Sequence, residues 1–235
     1  MLQGLMLKKS SHKRAFFKKS KGEAFLTKII SNIENIFLEK YLSIKVYGQE
    51  NIDPNTTYLI CANHSSHIDN IAIKYAFAKS NKEIIALAAK DYFFVNIFRY
   101  KLASLFLKIV PFDRGKNKKA ILKNFFYIKK YNGKGFNIIL YPEGTRSQDG
   151  NMLPFKLGTA YYRSKLHLNI IPIYIDSTYK SMRKGNIFPR KTKVSLIIGK
   201  PILYLPESDQ ENLRDFTSKL RNTILELSKK VPMRG

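Results

Sequence analysis

The sequence predicts an α/β protein: a mostly parallel central sheet of about seven strands, helices on both faces, and an N-terminal amphipathic helical appendage. Three observations predict it. Short apolar runs of strand length alternate with segments of helical period, an order that closes most simply into a parallel sheet covered on both sides. The runs end in polar turns carrying histidine, carboxylate and arginine, at the strand ends where open α/β sheets bind ligands. The 235 residues suffice for one well-filled core and no linker-like stretch divides them. Residues 1–42 are therefore expected as a basic arm with an amphipathic helix at a membrane surface, and residues 43–235 as one catalytic-sized domain.

In residues 1–20, Lys8, Lys9, Lys13, Arg14, Lys18 and Lys19 surround Phe16 and Phe17, the pattern of either a solvated terminus or a membrane-surface arm. From 23 to 41 the apolar Phe25, Ile29, Ile33, Ile36 and Phe37 recur mostly every three or four residues. That is the period of an amphipathic helix, either packed on the core or lying in an interface. Residues 43–48 alternate as a strand, Pro54 marks a turn, and 57–62 read as a buried strand. A helix over 70–78 and an apolar strand over 84–88 follow. The apolar stretch 92–107 reads as core, as the lining of an acyl-chain groove, or as a lipid contact. A strand at 109–112 leads to a basic helix over 118–131, and a strand at 136–141 leads through a turn at Asp149-Gly150 to a helix over 157–166. Strands at 169–175 and 193–198 complete the sheet. Ser208 and Glu211 have capping-box spacing ahead of a last helix through Leu213, Phe216, Leu220, Ile224 and Leu227.

Lys and Arg total 42 against 17 Asp and Glu, a formal charge of +25, which calls for an anionic partner or surface. Nucleic acid, anionic lipid and an acidic carrier protein all qualify. Cys61 is the only cysteine, so no disulfide forms within the chain and a reducing compartment is the simple expectation. Residues 1–20 lack the apolar core and cleavage site of a secretory signal. No window reaches the ~18 uncharged apolar residues of a spanning helix. A membrane-associated chain of this composition is expected to lie on the bilayer rather than cross it.

The turn at 63–69 follows the apolar run 58–62 and holds His64, His67 and Asp69. An imidazole that removes a hydroxyl proton during attack contributes on the order of 10²- to 10⁴-fold, and works better when a carboxylate holds its other nitrogen. Residues five apart on a continuous helix sit ~140° from one another, so His64 can meet Asp69 only across a turn, and Ser65-Ser66 offers one. The bland alternative is that Asp69 or Ser66 caps the next helix while His64 is solvated. His67 competes as base, a metal site from His64, His67 and Asp69 is a further option, and Cys61 as nucleophile is weaker because a mid-strand cysteine acts as a small apolar side chain.

The second constellation, residues 141–147, again follows a buried strand. Gly144 permits close backbone approach, Thr145 and Ser147 add hydroxyl donors, and Arg146 offers a fork matched to phosphate oxygens. Arg114 and Lys90 follow two other strands and would converge with it, although each cation alone reads as a solvated surface charge. Glu143 would position these cations or the catalytic turn, since a bare carboxylate lowers phosphate affinity.

Taken in order, these stretches resemble the glycerolipid acyltransferase family, the lysophosphatidic acid acyltransferases and their relatives. Residues 64–69 match its His-x4-Asp motif, 111–114 its second block, and 141–147 its Phe-Pro-Glu-Gly-Thr-Arg-Ser block with Tyr141 in place of phenylalanine. Residues 155–158 match the lysine-glycine lead-in to the fourth block at 171–173, while the second block lacks the family's usual glycine. The resemblance covers roughly residues 43–202 and makes 43–235 an acyltransferase domain. It implies His64 as general base, Asp69 as its orienting partner, and Arg114, Glu143, Gly144, Thr145 and Arg146, with Lys90, around the acceptor phosphate.

The reaction implied is acyl transfer from an acyl-carrier-protein or coenzyme A thioester to the free hydroxyl of a lysophospholipid, with 1-acylglycerol 3-phosphate giving phosphatidic acid. Another lyso-lipid, an aminoacyl lipid or glycerol 3-phosphate is the alternative acceptor. No metal or cofactor is implied, and the expected place is the cytoplasmic side of the membrane, held peripherally through anionic lipid. A non-enzymatic nucleic-acid module rests on the charge alone. Its expected motifs are missing, and the aromatic residues cluster in apolar runs instead of interleaving with basic ones.

Overall fold

The computed structural model describes residues 21–93, 100, 104, 107–115, 117–183, 185–186 and 188–232. The basic arm at 1–20 and most of the apolar stretch at 92–107 lie outside the described residues. Among the described residues, seven strands form one sheet: β1 (Lys45–Tyr47), β2 (Leu59–Ala62), β3 (Ile84–Ala89), β4 (Lys108–Phe112), β5 (Asn137–Leu140), β6 (Ile170–Asp176) and β7 (Ser195–Ile198), in the order β1-β7-β6-β2-β5-β3-β4. Every neighbouring pair is parallel except β6 with β7. The five strands from β6 to β4 therefore run one way, and β7 with β1 runs the other. Their carboxyl ends share one edge, and that edge receives the loops after β2, β3, β4 and β5.

β2 and β5, with sequences LICA and NIIL, are buried along their whole length and sit near the middle of the sheet. Being covered on both faces, they read as unbroken apolar runs instead of alternating ones. Successive residues nonetheless serve different layers. Ile60, Ala62, Ile139, Ile171 and Ile173 pack with α2 (Ile68–Ala76) and with Leu38 and Leu42. Leu59, Cys61, Ile138, Leu140 and Ile170 pack with α4 (Lys118–Asn132), α5 (Gly158–Leu166) and α7 (Leu213–Ser228) on the opposite face. Two short helices, α3 (Lys90–Phe93) and α6 (Thr178–Ser181), follow β3 and β6.

The appendage is α1 (Lys21–Ile36), which runs on into a π-helical turn at Phe37–Tyr41 whose Leu38 is fully buried. Its apolar stripe does not pack on the core. Phe25, Ile29, Ile33 and Ile36 are 67, 40, 61 and 61% exposed. The inward face is held instead by a buried carboxylate, because Lys74 of α2 donates to Glu34 and to Ser31 Oγ. The last helix also begins differently from its expected capping box. Asn212 is its N-cap, accepting from the Arg214 N–H, while Ser208 lies in a 3-10 turn at Pro206–Gln210 and Glu211 pairs with Arg163. The reason is tertiary. Arg163 is buried, stacks 4.2 Å from the Phe216 ring and takes both Glu211 and the Ser208 hydroxyl as partners, while Ser208 Oγ also accepts the Leu205 N–H at 3.1 Å ahead of the 3-10 turn, so neither caps the last helix.

Candidate active site

The turn after β2 is fixed from both sides. The Asn63 side chain donates to the Ile175 carbonyl at 2.9 Å and accepts the Ile175 N–H at 2.7 Å, which ties the end of β2 to β6. Ser66 Oγ accepts the Ile68 N–H, and α2 begins there. Asp69, in the first turn of α2, folds its carboxylate back over the turn. Its Oδ2 accepts the Ser65 and Ser66 N–H groups, each at 2.9 Å, and lies 2.8 Å from His64 Nδ1. Two backbone donors require Oδ2 to be an acceptor, so the ring proton is assigned to Nδ1 and the Nε2 lone pair is left to act as a base. Asp69 is fully buried, whereas the His64 side chain keeps 15% exposure. The imidazole reaches solvent and its carboxylate partner does not.

Tyr141, directly after β5, stacks on the His64 ring with centroids 3.7 Å apart and planes 10° from parallel. Its hydroxyl donates to Asn70 Oδ1 at 2.8 Å, on the same turn of α2 as Asp69. Burial pushes the phenol well above its ordinary range, so it stays protonated. The tyrosine that departs from the family's phenylalanine thus fixes the plane of the imidazole and joins the two strand-end loops.

Glu143 is spent on backbone. Oε1 accepts the His64 N–H at 2.7 Å, Oε2 accepts the Leu153 N–H at 2.9 Å, and the side chain is only 2% exposed. Burial pushes its carboxyl up to about 7, against the pull of those two hydrogen bonds. Of the two roles the sequence left to it, holding the turn at His64 is the one with contacts. Ser147 continues the seam, its N–H donating to the His64 carbonyl at 2.8 Å.

Gly144 has φ +72°, in the left-handed region, and a Cβ built there would lie 2.5 Å from Lys156 Nζ. The Lys156 ammonium therefore lies over the glycine. Lys156 stands in the block at 155–158, whose pattern by itself assigns it no role; its backbone also closes the loop, the Lys156 N–H donating to the Pro142 carbonyl at 2.9 Å. Thr145 is exposed, and Arg146 is half-buried near His67. Burial, and then the Arg146 charge, push the His67 imidazole down to about 4. It is neutral at physiological pH. Burial also pushes the Cys61 thiol far above neutral pH, which removes it as a nucleophile. Among the described residues, no group of three His, Cys, Asp or Glu side chains is placed to hold a metal.

Lys90 and Arg114 come together elsewhere on the same edge. They line a cavity of about 520 Å³ with Asp91, Asp113 and Gly115. Arg114 Nε donates to Asp91 Oδ1 at 3.1 Å and its Nη2 pairs with Asp91 Oδ2, so the fork expected to face phosphate is engaged by a neighbour the sequence did not single out. That pairing holds the Asp91 carboxyl below the usual range. The cations thus fall into two groups: Arg146 and Lys156 beside the His64 turn, and Lys90 and Arg114 at the ends of β3 and β4. His64 and Arg146 are not among the residues lining the cavity.

A histidine oriented by a buried carboxylate, beside a glycine-arginine loop at the carboxyl edge of a parallel sheet, marks that edge as the candidate site of an α/β protein. Comparison with known proteins makes the assignment specific. The acyltransferase family model matches residues 43–176, more than half of the chain, and the chain belongs to that family. It is 28% identical to the 1-acyl-sn-glycerol-3-phosphate acyltransferase of Limnanthes douglasii over 167 residues, which are 70% of this chain and 54% of that protein. Against the Bacillus subtilis (strain 168) protein of the same name the identity is 26%, covering 87% of this chain and 98% of that one. The chain spans about half the length of the plant relatives it matches. The crystal structure of the 1-acyl-sn-glycerophosphate acyltransferase PlsC from Thermotoga maritima shares the fold, with a TM-score of 0.67 at 22% identity, over 99% of this chain and 90% of that one.

Proposed function

We propose that the chain moves a fatty acyl group from a thioester to the free hydroxyl of a lysophospholipid, with 1-acylglycerol 3-phosphate as acceptor. The observation that carries this reading is the His64 ring, held at Nδ1 by a buried Asp69 and itself 15% exposed, beside the loop of Gly144, Arg146 and Lys156. In the reaction, His64 Nε2 takes the acceptor's hydroxyl proton as the oxygen attacks the thioester carbonyl. Donors of the two strand-end loops stabilise the tetrahedral oxyanion, and its collapse expels the thiolate, which recovers the proton from His64. The cations at the sheet edge hold the acceptor phosphate, so the attack becomes effectively intramolecular. The names of the relatives support 1-acylglycerol 3-phosphate over other acceptors.

Turnover of the purified chain across a panel of lysophosphatidic acid, lysophosphatidylethanolamine and glycerol 3-phosphate, each with acyl-carrier-protein and coenzyme A thioesters, tests the assignment. Lysophosphatidic acid is expected to give the highest kcat/KM. A chain that acylates none of them has another function.

The same reading places the protein on the cytoplasmic face of an anionic membrane. Its supports are the outward apolar stripe of α1 and the charge of +25. Among the described residues no helix is long and apolar enough to cross a bilayer. Replacing Phe25 and Ile29 together with serine is expected to lower partitioning onto anionic vesicles about tenfold, since each gives up part of the ~1.5–3 kcal/mol gained by burying such a side chain. Unchanged vesicle flotation of the double variant refutes this placement.

A further inference from the structure

The outer face of α4 has no function in the acyl-transfer chemistry described so far. It presents two exposed apolar side chains one turn apart, Leu122 at 42% and Phe126 at 63% exposure. Around them stand Lys118, Lys119, Lys123, Lys129 and Lys130, all exposed, and the helix contains no acidic residue. Lys118 and Lys119 occupy the first helical turn, where the helix dipole disfavours cations.

The helix is also tied to the cavity at Arg114. Its buried Asn124 accepts the Asp113 N–H at 2.9 Å and donates to the Asp113 carbonyl at 2.7 Å, so the loop that carries Arg114 is clamped to α4. Gly115, which lines that cavity, also lies against Ala120 in the first turn of α4, so the N-terminal end of the helix is beside it.

We propose that the solvent face of α4 is the docking surface for a small acidic protein that carries the acyl group as its thioester. The inference rests on the acyl-transfer reading and names the donor that reading leaves open. Charge complementarity identifies the partner, because a lysine ring around an apolar pair matches an acidic rim around an apolar contact. A bilayer fits less well. α4 packs on the face of the sheet opposite to α2, whereas α1 is held on the α2 side through Lys74, so the two outer surfaces point away from each other. Coenzyme A fits less well too, since a convex helix face with exposed Leu122 and Phe126 encloses no nucleotide.

The test uses the full chain with two double variants, Lys119→Glu with Lys123→Glu and Leu122→Ser with Phe126→Ser. Binding to holo acyl carrier protein is measured by fluorescence anisotropy at low and high salt, and kcat/KM is measured with the same acyl group on the carrier protein and on coenzyme A. Wild type is expected to bind the carrier and to lose affinity as salt rises. Each variant is expected to lose about tenfold in carrier affinity and in kcat/KM for the carrier thioester, and to stay within about twofold of wild type with the coenzyme A thioester and in vesicle binding. Glutamate in the first turn suits the helix dipole, so the first variant is expected to melt no lower than wild type. No binding of the carrier by wild type, equal losses with both donors, or a loss confined to vesicle binding overturns the proposal. A wild-type chain that acylates no lyso-lipid from either donor sinks the acyl-transfer reading instead, and the anisotropy measurement, which needs no turnover, still decides the surface.

Discussion

Asp69→Asn is expected to lower kcat for acyl transfer by about 10²- to 10⁴-fold while leaving KM for the acceptor nearly unchanged. The geometry says why the loss falls on kcat. Ser65 and Ser66 N–H both point at the Oδ2 position, so the asparagine carbonyl takes that place and its amide takes the place of Oδ1, which is buried without a hydrogen-bond partner among the described residues. The turn keeps its shape and Nδ1 keeps an acceptor. What disappears is the negative charge facing the imidazolium that forms during attack, which matters only in the transition state. The buried amide left without a partner costs about 1–3 kcal/mol of stability, visible as a lower melting temperature. His64→Ala, which removes the base altogether, is expected to lose at least as much activity and to retain vesicle binding. Wild-type kcat in either variant disproves the assignment of His64 as base.

Glu143 gives the second large effect, and it is read as pH dependence. Its carboxyl is raised from 4.5 in the unfolded chain to about 7 in the folded one. Between those values the native state binds a proton that the unfolded state has released, so stability must fall as pH rises through that window. The slope is about 1.4 kcal/mol per pH unit, and over the whole window it amounts to roughly 3 kcal/mol. Glu143→Gln is expected to abolish that part of the slope, which thermal melts from pH 5 to 8 on both proteins will measure. The same substitution turns an amide toward one of two backbone N–H donors, at His64 or at Leu153, and loosens the turn at His64. A fall in kcat of about 10- to 100-fold, with little change in KM, is the expected kinetic result. Parallel melting curves for wild type and variant across that range would show that Glu143 is not the titrating group.

The two predictions bear on different layers of one device. Asp69 holds the His64 ring at Nδ1, and Glu143 holds the backbone that carries that ring. Tyr141 closes the device from a third side through its stack on His64 and its bond to Asn70.

Much of this was legible in the sequence. The strand-end positions of His64, Arg114 and residues 141–147 follow from apolar runs that stop at polar turns, which is a local property. The need for a turn between His64 and Asp69 follows from helix geometry alone, and Ser65-Ser66 supplies it. Other features were not legible because they join residues far apart in the chain. Glu143 meets the His64 backbone 79 residues away, and Arg114 finds Asp91 at a separation of 23. The pairing of Lys74 with Glu34, 40 residues earlier, turns the apolar stripe of α1 outward. A period of three and four shows that a helix has an apolar face but not which way that face points.

By itself, then, the sequence determined the alternation of strands and helices, the chemistry at each strand end and the family resemblance, since periodicity and turn residues act over a few positions. Only the tertiary structure decided the strand order that puts β5 between β2 and β3, the separation of the cations into two groups, and the assignment of Glu143 to the backbone instead of the ligand. The physical reason is that several apolar strands of similar composition can exchange places in a sheet with little change in local pattern. Which loops become neighbours is settled by packing all of them at once.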